Sequence, residues 1–103
     1  MTASFGVQSF LFKEVIFLET RVAVIGIIVE EPESVERLNA ILHSRADYIL
    51  GRMGIPYRQA GISIISIAID APQDVINALS GEIGKLPGVS AKTAYAKTSA
   101  KAD

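Results

Sequence analysis

The sequence predicts an α+β fold on the ferredoxin-like plan, βαββαβ: a four-stranded antiparallel sheet carrying two helices on one face. Three observations predict it. First, the nine residues Ile62-Ser63-Ile64-Ile65-Ser66-Ile67-Ala68-Ile69-Asp70 include five isoleucines. Alternation sends Ile65, Ile67 and Ile69 to one side and Ile62, Ile64 and Ala68 to the other. Both sides are apolar, the pattern of a central strand covered on two faces. Second, Arg21–Val29 (RVAVIGIIV) has the same two-sided character. Third, a shift of forty residues lays Val22, Val24, Ile25, Ile27 and Val29 on Ile62, Ile64, Ile65, Ile67 and Ile69. The same shift lays Glu30 on Asp70, Pro32 on Pro72, Val35 on Val75 and Ile49 on Val89. Two copies of strand–helix–strand follow, with the first and third strands central and the second and fourth at the edges.

Taken in order, the elements justify themselves. Residues 1–17 hold all four phenylalanines, Phe5, Phe10, Phe12 and Phe17, and lack the charged start and cleavage site of a signal peptide. Lys13-Glu14-Val15 is what a purine-rich ribosome-binding site yields when translated in frame, and Leu18 stands where a TTG start codon would follow. Residues 1–19 therefore read as an N-terminal arm or as translated leader, with the domain at 20–97. Gly26 interrupts the first strand, leaving a gap that would admit a neighbouring backbone. Glu30-Glu31-Pro32-Glu33 opens a helix, Pro suiting the first turn and the acids suiting the positive end of the dipole. Val35, Leu38, Ile41 and Leu42 form its apolar stripe, with Glu33 and Arg37 as an i,i+4 pair on the wet side.

Residues 48–57 (YILGRMGIPY) form the second strand, where alternation places Ile49, Met53, Ile55 and Tyr57 together and Leu50, Arg52 and Pro56 opposite. Pro56 cannot donate to a ladder, which argues for an edge. Gln59-Ala60-Gly61 turns the chain into the central strand, with Gly61 available for positive φ. Ala71-Pro72-Gln73-Asp74 opens the second helix, whose inward side is Val75, Ile76, Leu79, Ile83 and Leu86. Gly81 and Gly84 read as a close-packing notch. Leu86-Pro87-Gly88-Val89 ends the helix, Val89 to Lys97 forms the last strand, and residues 98–103 are a polar tail.

Composition excludes several function classes. The chain has 103 residues, enough for one domain with a small core. Its net charge of −1 leaves no basic footprint for nucleic acid. Absence of Cys removes disulfides, thiolate metal sites and Cys nucleophiles, and is compatible with a cytoplasmic setting. Half the residues are hydrophobic, yet no run reaches the roughly eighteen apolar residues that span a bilayer. No Ser–His–Asp set, phosphate loop or closely spaced pair of His appears, so neither an enzyme nor a cofactor is expected. The central strands carry Ile, Val, Ala, Ser and Gly where RNA-recognition domains stack bases on aromatics, and that role is rejected.

Candidate ligand contacts are few. His43 is the one histidine, near the end of the first helix, where such a residue ordinarily meets the dipole or solvent. Arg52 and Arg58 fall on one face of the edge strand, as a solvated rim or as an anion or carboxylate clamp. With Tyr57 these make the candidate set: His43, Arg52, Tyr57 and Arg58. No metal site is expected.

The stretches RVAVIGIIVE, LHSRADYILGRMGIPY, ISIISIAIDAP and LSGEIGKLPGV span the domain. Through them residues 20–97 resemble the family of iron-only hydrogenase system regulators. That family looks like a stand-alone ACT-like domain, similar to the C-terminal sensing domain of nickel-responsive repressors. The resemblance implies a regulatory role. It places His43, followed by Asp47, where those repressors carry one nickel-ligand histidine. The other three ligand places fall on Gly54, Pro56 and Ile62, none of which can bind a metal, and the basic DNA-binding arm is missing. Amino-acid-binding ACT domains commonly carry Gly after the first strand, where this chain has Glu30-Glu31-Pro32-Glu33.

The expected function is therefore a non-enzymatic, oligomeric regulatory or small-ligand-sensing domain. The alternative is an adaptor that binds a protein partner through its sheet face. Two helices cover only one face of four strands, so a homodimer or tetramer is expected, with sheets packed face to face or paired at their edges. No nucleic acid or membrane partner is expected.

Overall fold

Apolar residues on both sides of two strands put those strands in the middle of the sheet. In the computed structural model, which describes residues 19–97, β1 (Arg21–Val29) and β3 (Ile62–Ala71) are neighbours at the centre. Strands β2 (Ile49–Tyr57) and β4 (Val89–Tyr95) form the edges, giving the antiparallel order β2-β3-β1-β4. Helix α1 (Val35–Ser44) links β1 to β2, and α2 (Gln73–Gly84) links β3 to β4. This is the βαββαβ order that the forty-residue repeat predicts. The phenylalanine-rich segment and the polar tail lie outside the described residues.

The repeat preserves not only elements but sides. Ile25 and Ile27 pair with Ile67 and Ile65 across the central strands, and all four are buried beneath the helices. Leu38 and Leu42 of α1 and Ile76, Leu79 and Ile83 of α2 complete the core. On the other side of β3, Ile64 remains 38% exposed and Ile62 half-buried. Among the described residues, a strand built to be covered twice is thus covered once. No helix among the described residues is long and apolar enough to cross a membrane.

The two prolines of the repeat open the helical segments by different means. Pro32 begins a short 3-10 turn, Pro32–Ser34, that leads into α1, whereas Pro72 is the extended residue just before α2. The loops then tie to each other. The buried Ser34 hydroxyl donates to the Pro87 carbonyl at 2.6 Å, and the Glu30 amide donates to the Gly88 carbonyl at 2.7 Å. Gly88 itself has φ 67°, and a Cβ there would lie 2.5 Å from Glu31 Cγ. Gly88→Ala is expected to lower stability by about 1–3 kcal/mol through this clash and the left-handed backbone. Gly81→Ala, where a Cβ meets nothing within 4 Å, is expected to raise stability by about 1 kcal/mol. Urea midpoints of the two variants, displaced in opposite directions, check both.

That contrast corrects the notch. Gly81 and Gly84 are exposed, with open space where a side chain would stand, so they admit no neighbour. Gly26 likewise keeps ordinary contact distance, 3.9 Å from the Lys92 carbonyl to a Cβ built there. Glu33 and Arg37 do not pair, because Glu33 sits in the 3-10 turn before α1 and the helical i,i+4 spacing does not apply. The ion pair that does form joins the helices: Arg45 Nη2 to Glu82 Oε2, 3.0 Å. Strand β4 stops at Tyr95, short of Lys97. Gly61 adopts φ 71° at the entry to β3, as the turn requires.

Candidate functional site

Edge strand β2 does not alternate regularly, and the site follows from that. Ile49 pairs with Ile69, but the next pair is Gly51 with Ala68, leaving Leu50 as a bulge. Ile69 and Ile67 both point beneath the helices, and their partners are Ile49 and Arg52. Residues three apart on a regular strand face opposite ways; the bulge brings these two to the same side. The expected grouping of Ile49 with Met53, Ile55 and Tyr57 is corrected accordingly.

On that side, β2 and α1 enclose an open groove of about 580 Å³. Leu42 and Ile49 form much of its apolar lining, with Ala40 and Ala46 beside them, while Asn39, His43 and Arg52 supply the polar groups. Arg52 Nη2 donates to Asn39 Oδ1 at 3.1 Å. Asn39 and His43 stand one turn apart on one helix face, so the Arg52 fork and the imidazole line the same opening. Asn39 was not among the sequence candidates; its i,i+4 relation to His43 was the available signal.

Two of the four expected contacts are thereby brought together and two are not. Tyr57 pairs with Ile62 and projects from the opposite side of the sheet, 47% exposed. Arg58 is not on the strand at all but begins the 3-10 turn Arg58–Ala60. Arg52 and Tyr57 are five residues apart along the strand, roughly 17 Å at about 3.3 Å per residue.

The side of the sheet away from the helices is a second feature. Cross-strand pairing sets Ile55, Ile64 and Ile28 in one row, and Met53, Ser66 and Gly26 in the next. Val24 and Ala68 follow in a third. Val24, Ile28, Met53, Ile55, Tyr57 and Ile64 are all between 38% and 59% exposed. Asp70 also lies on this side, opposite Val22, with Oδ1 buried and without a hydrogen-bond partner among the described residues.

Residues 21–93 match the model of the TM1266-like family, described as "Iron-only hydrogenase system regulator, putative". The chain belongs to that family. Among solved structures, the TM1266-like chain is similar to an uncharacterized protein, TM1266 from Thermotoga maritima, at 34% identity and TM-score 0.74. The similarity covers 77% of this chain and 100% of that one. No curated protein matches.

The resemblance to nickel-responsive repressors expected from the sequence raises the question of whether a nickel ion fits. The residues present do not fit it. Gly54, Pro56 and Ile62 offer no donor atom, and among the described residues no three His, Cys, Asp or Glu side chains gather. Titration calorimetry of tag-free protein is expected to show no stoichiometric Ni²⁺ or Zn²⁺ binding in the micromolar range. Tight binding that disappears in His43→Ala would instead reveal a site shared between copies.

Proposed function

We propose that this member of the TM1266-like family is a non-enzymatic, cytoplasmic regulator that works as a homo-oligomer and responds to a small ligand. The observation that carries the reading is the apolar side of the sheet that the described residues leave uncovered. Four strands at about 4.8 Å spacing and about eight residues at about 3.3 Å rise give roughly 500 Å². Two copies placed face to face would bury roughly 1,000 Å², where specific interfaces begin. The shape suits a second copy in particular. The ridge Ile55–Ile64–Ile28 runs beside a row that dips at Ser66 and Gly26 between Met53 and Lys92, so a two-fold axis between them sets the middle of each ridge over the other's dip.

The family description supports the regulatory part of the reading, and the groove beside Arg52 supports the ligand. The non-enzymatic part rests on the same family description, which names a regulator. Light scattering is expected to give two or four times the 11.0 kDa chain mass at tens of micromolar. A monomer there refutes the assembly. A thermal-shift panel of amino acids, organic acids, nucleotides and metals tests the sensing: a melting point rising with the logarithm of one ligand's concentration supports it. Silence across the panel favours an adaptor that binds a protein partner.

A further inference from the structure

We propose that the groove between α1 and β2 binds a small monocarboxylate with a short apolar tail, and that Arg52 holds the carboxylate. The proposal rests on the ligand-sensing reading above and names its ligand class. Arg52 is the permanent cation of the groove. Its one hydrogen bond, to Asn39, orients the guanidinium and leaves most of its five N–H donors unused. Among the described residues no carboxylate forms an ion pair with it, whereas nearby Arg45 is paired with Glu82. Among the residues that line the groove, Arg52 is then the arginine available to an incoming anion.

The rest of the groove sets the class of anion. Leu42, Ile49, Ala40 and Ala46 present carbon to whatever lies beyond the charged group. One fixed cation balances one negative charge, and the planar fork matches the two oxygens of a carboxylate. A phosphate dianion would carry unbalanced charge into an apolar lining. The volume of about 580 Å³ falls within the range of small-molecule sites, about 300–1,000 Å³. The bulge at Leu50 is the independent sign: without it Ile49 and Arg52 could not share this side. Bulges commonly re-aim side chains beside binding sites.

The test is a nuclear magnetic resonance titration of the full chain with 3-methylbutanoate, its neutral amide and inorganic phosphate, with light scattering on the same samples. Saturable shifts of the His43 imidazole and Arg52 side-chain signals are expected with 3-methylbutanoate and not with the amide. Arg52→Gln is expected to weaken the carboxylate by about tenfold or more, and Arg58→Gln to leave it unchanged. An equal response to the amide, tighter binding of phosphate, an unaffected Arg52→Gln, or no saturable response overturns the proposal. An intact oligomer with no carboxylate response overturns the ligand class alone. A monomer that still binds the carboxylate upholds the site and overturns the assembly.

Discussion

Replacing Ile67 with Ala is expected to lower the unfolding free energy by about 2–5 kcal/mol, among the largest losses from any single truncation in this domain. Ile67 is 0% exposed and sits mid-strand in β3, directly paired with Ile25, which is also 0% exposed. On its other flank Arg52 occupies the pairing position, and an edge arginine cannot refill the lost volume. The helices press Leu38, Ile76 and Leu79 onto the same cluster, so the cavity has rigid walls on every side. A small domain has a total stability of only about 5–15 kcal/mol, so this loss is a large fraction of it. Urea unfolding at matched protein concentration measures the effect. The control is Ile64→Ala, three residues earlier on the same strand but 38% exposed. In the isolated protomer it is expected to cost well under half as much. Equal losses at the two positions would contradict the assignment of sides on which the whole fold rests.

The legibility of this sequence stopped where periodicity stopped. Strand sides in β1 and β3 could be read because isoleucine and valine recur at period two and again forty residues later. The helix stripes were readable for the same reason: Leu38, Leu42, Ile76, Leu79 and Ile83 are buried as their spacing requires. The bulge at Leu50 has no such signature. Gly51 and Gly54 follow it with residues that satisfy either phase, and an inserted residue inverts the side of everything before it. That inversion moved Ile49 into the groove beside Arg52. Glycine spacing in α2 misled for a related reason: Gly81 and Gly84 share a helix face whether or not a neighbour approaches it. His43 and Arg52 were legible as chemistry, but only the backbone of β2 could say that they line one opening.

Ile64→Asp is expected to convert the proposed assembly to monomers of about the 11.0 kDa chain mass while leaving the protomer folded. Ile64 is the middle of the exposed ridge, paired with Ile28 on one side and Ile55 on the other. In a two-fold assembly the change introduces two carboxylates at the centre of an apolar contact, each without a cation opposite. Lys92 is on the same side of the sheet, but it pairs with Gly26 in the next row on β4, two strands away from Ile64. At about 25 cal/mol per Å², the apolar burial across both copies is worth on the order of 20 kcal/mol before association costs, which remove much of it. An ionised, unpaired carboxylate costs more than the remaining surplus. In the protomer alone the same Asp stays in water, because the described residues leave this side open, so circular dichroism and the single-chain unfolding transition should change little. Ile64→Asn, polar but uncharged, is expected to weaken assembly less. A chain lacking residues 1–17 separates the occupants of this face: if the second copy covers it, the truncated chain still assembles and Ile64→Asp still splits it. Light scattering that finds Ile64→Asp as large as the unaltered protein would place the interface elsewhere, at the β2 or β4 edge.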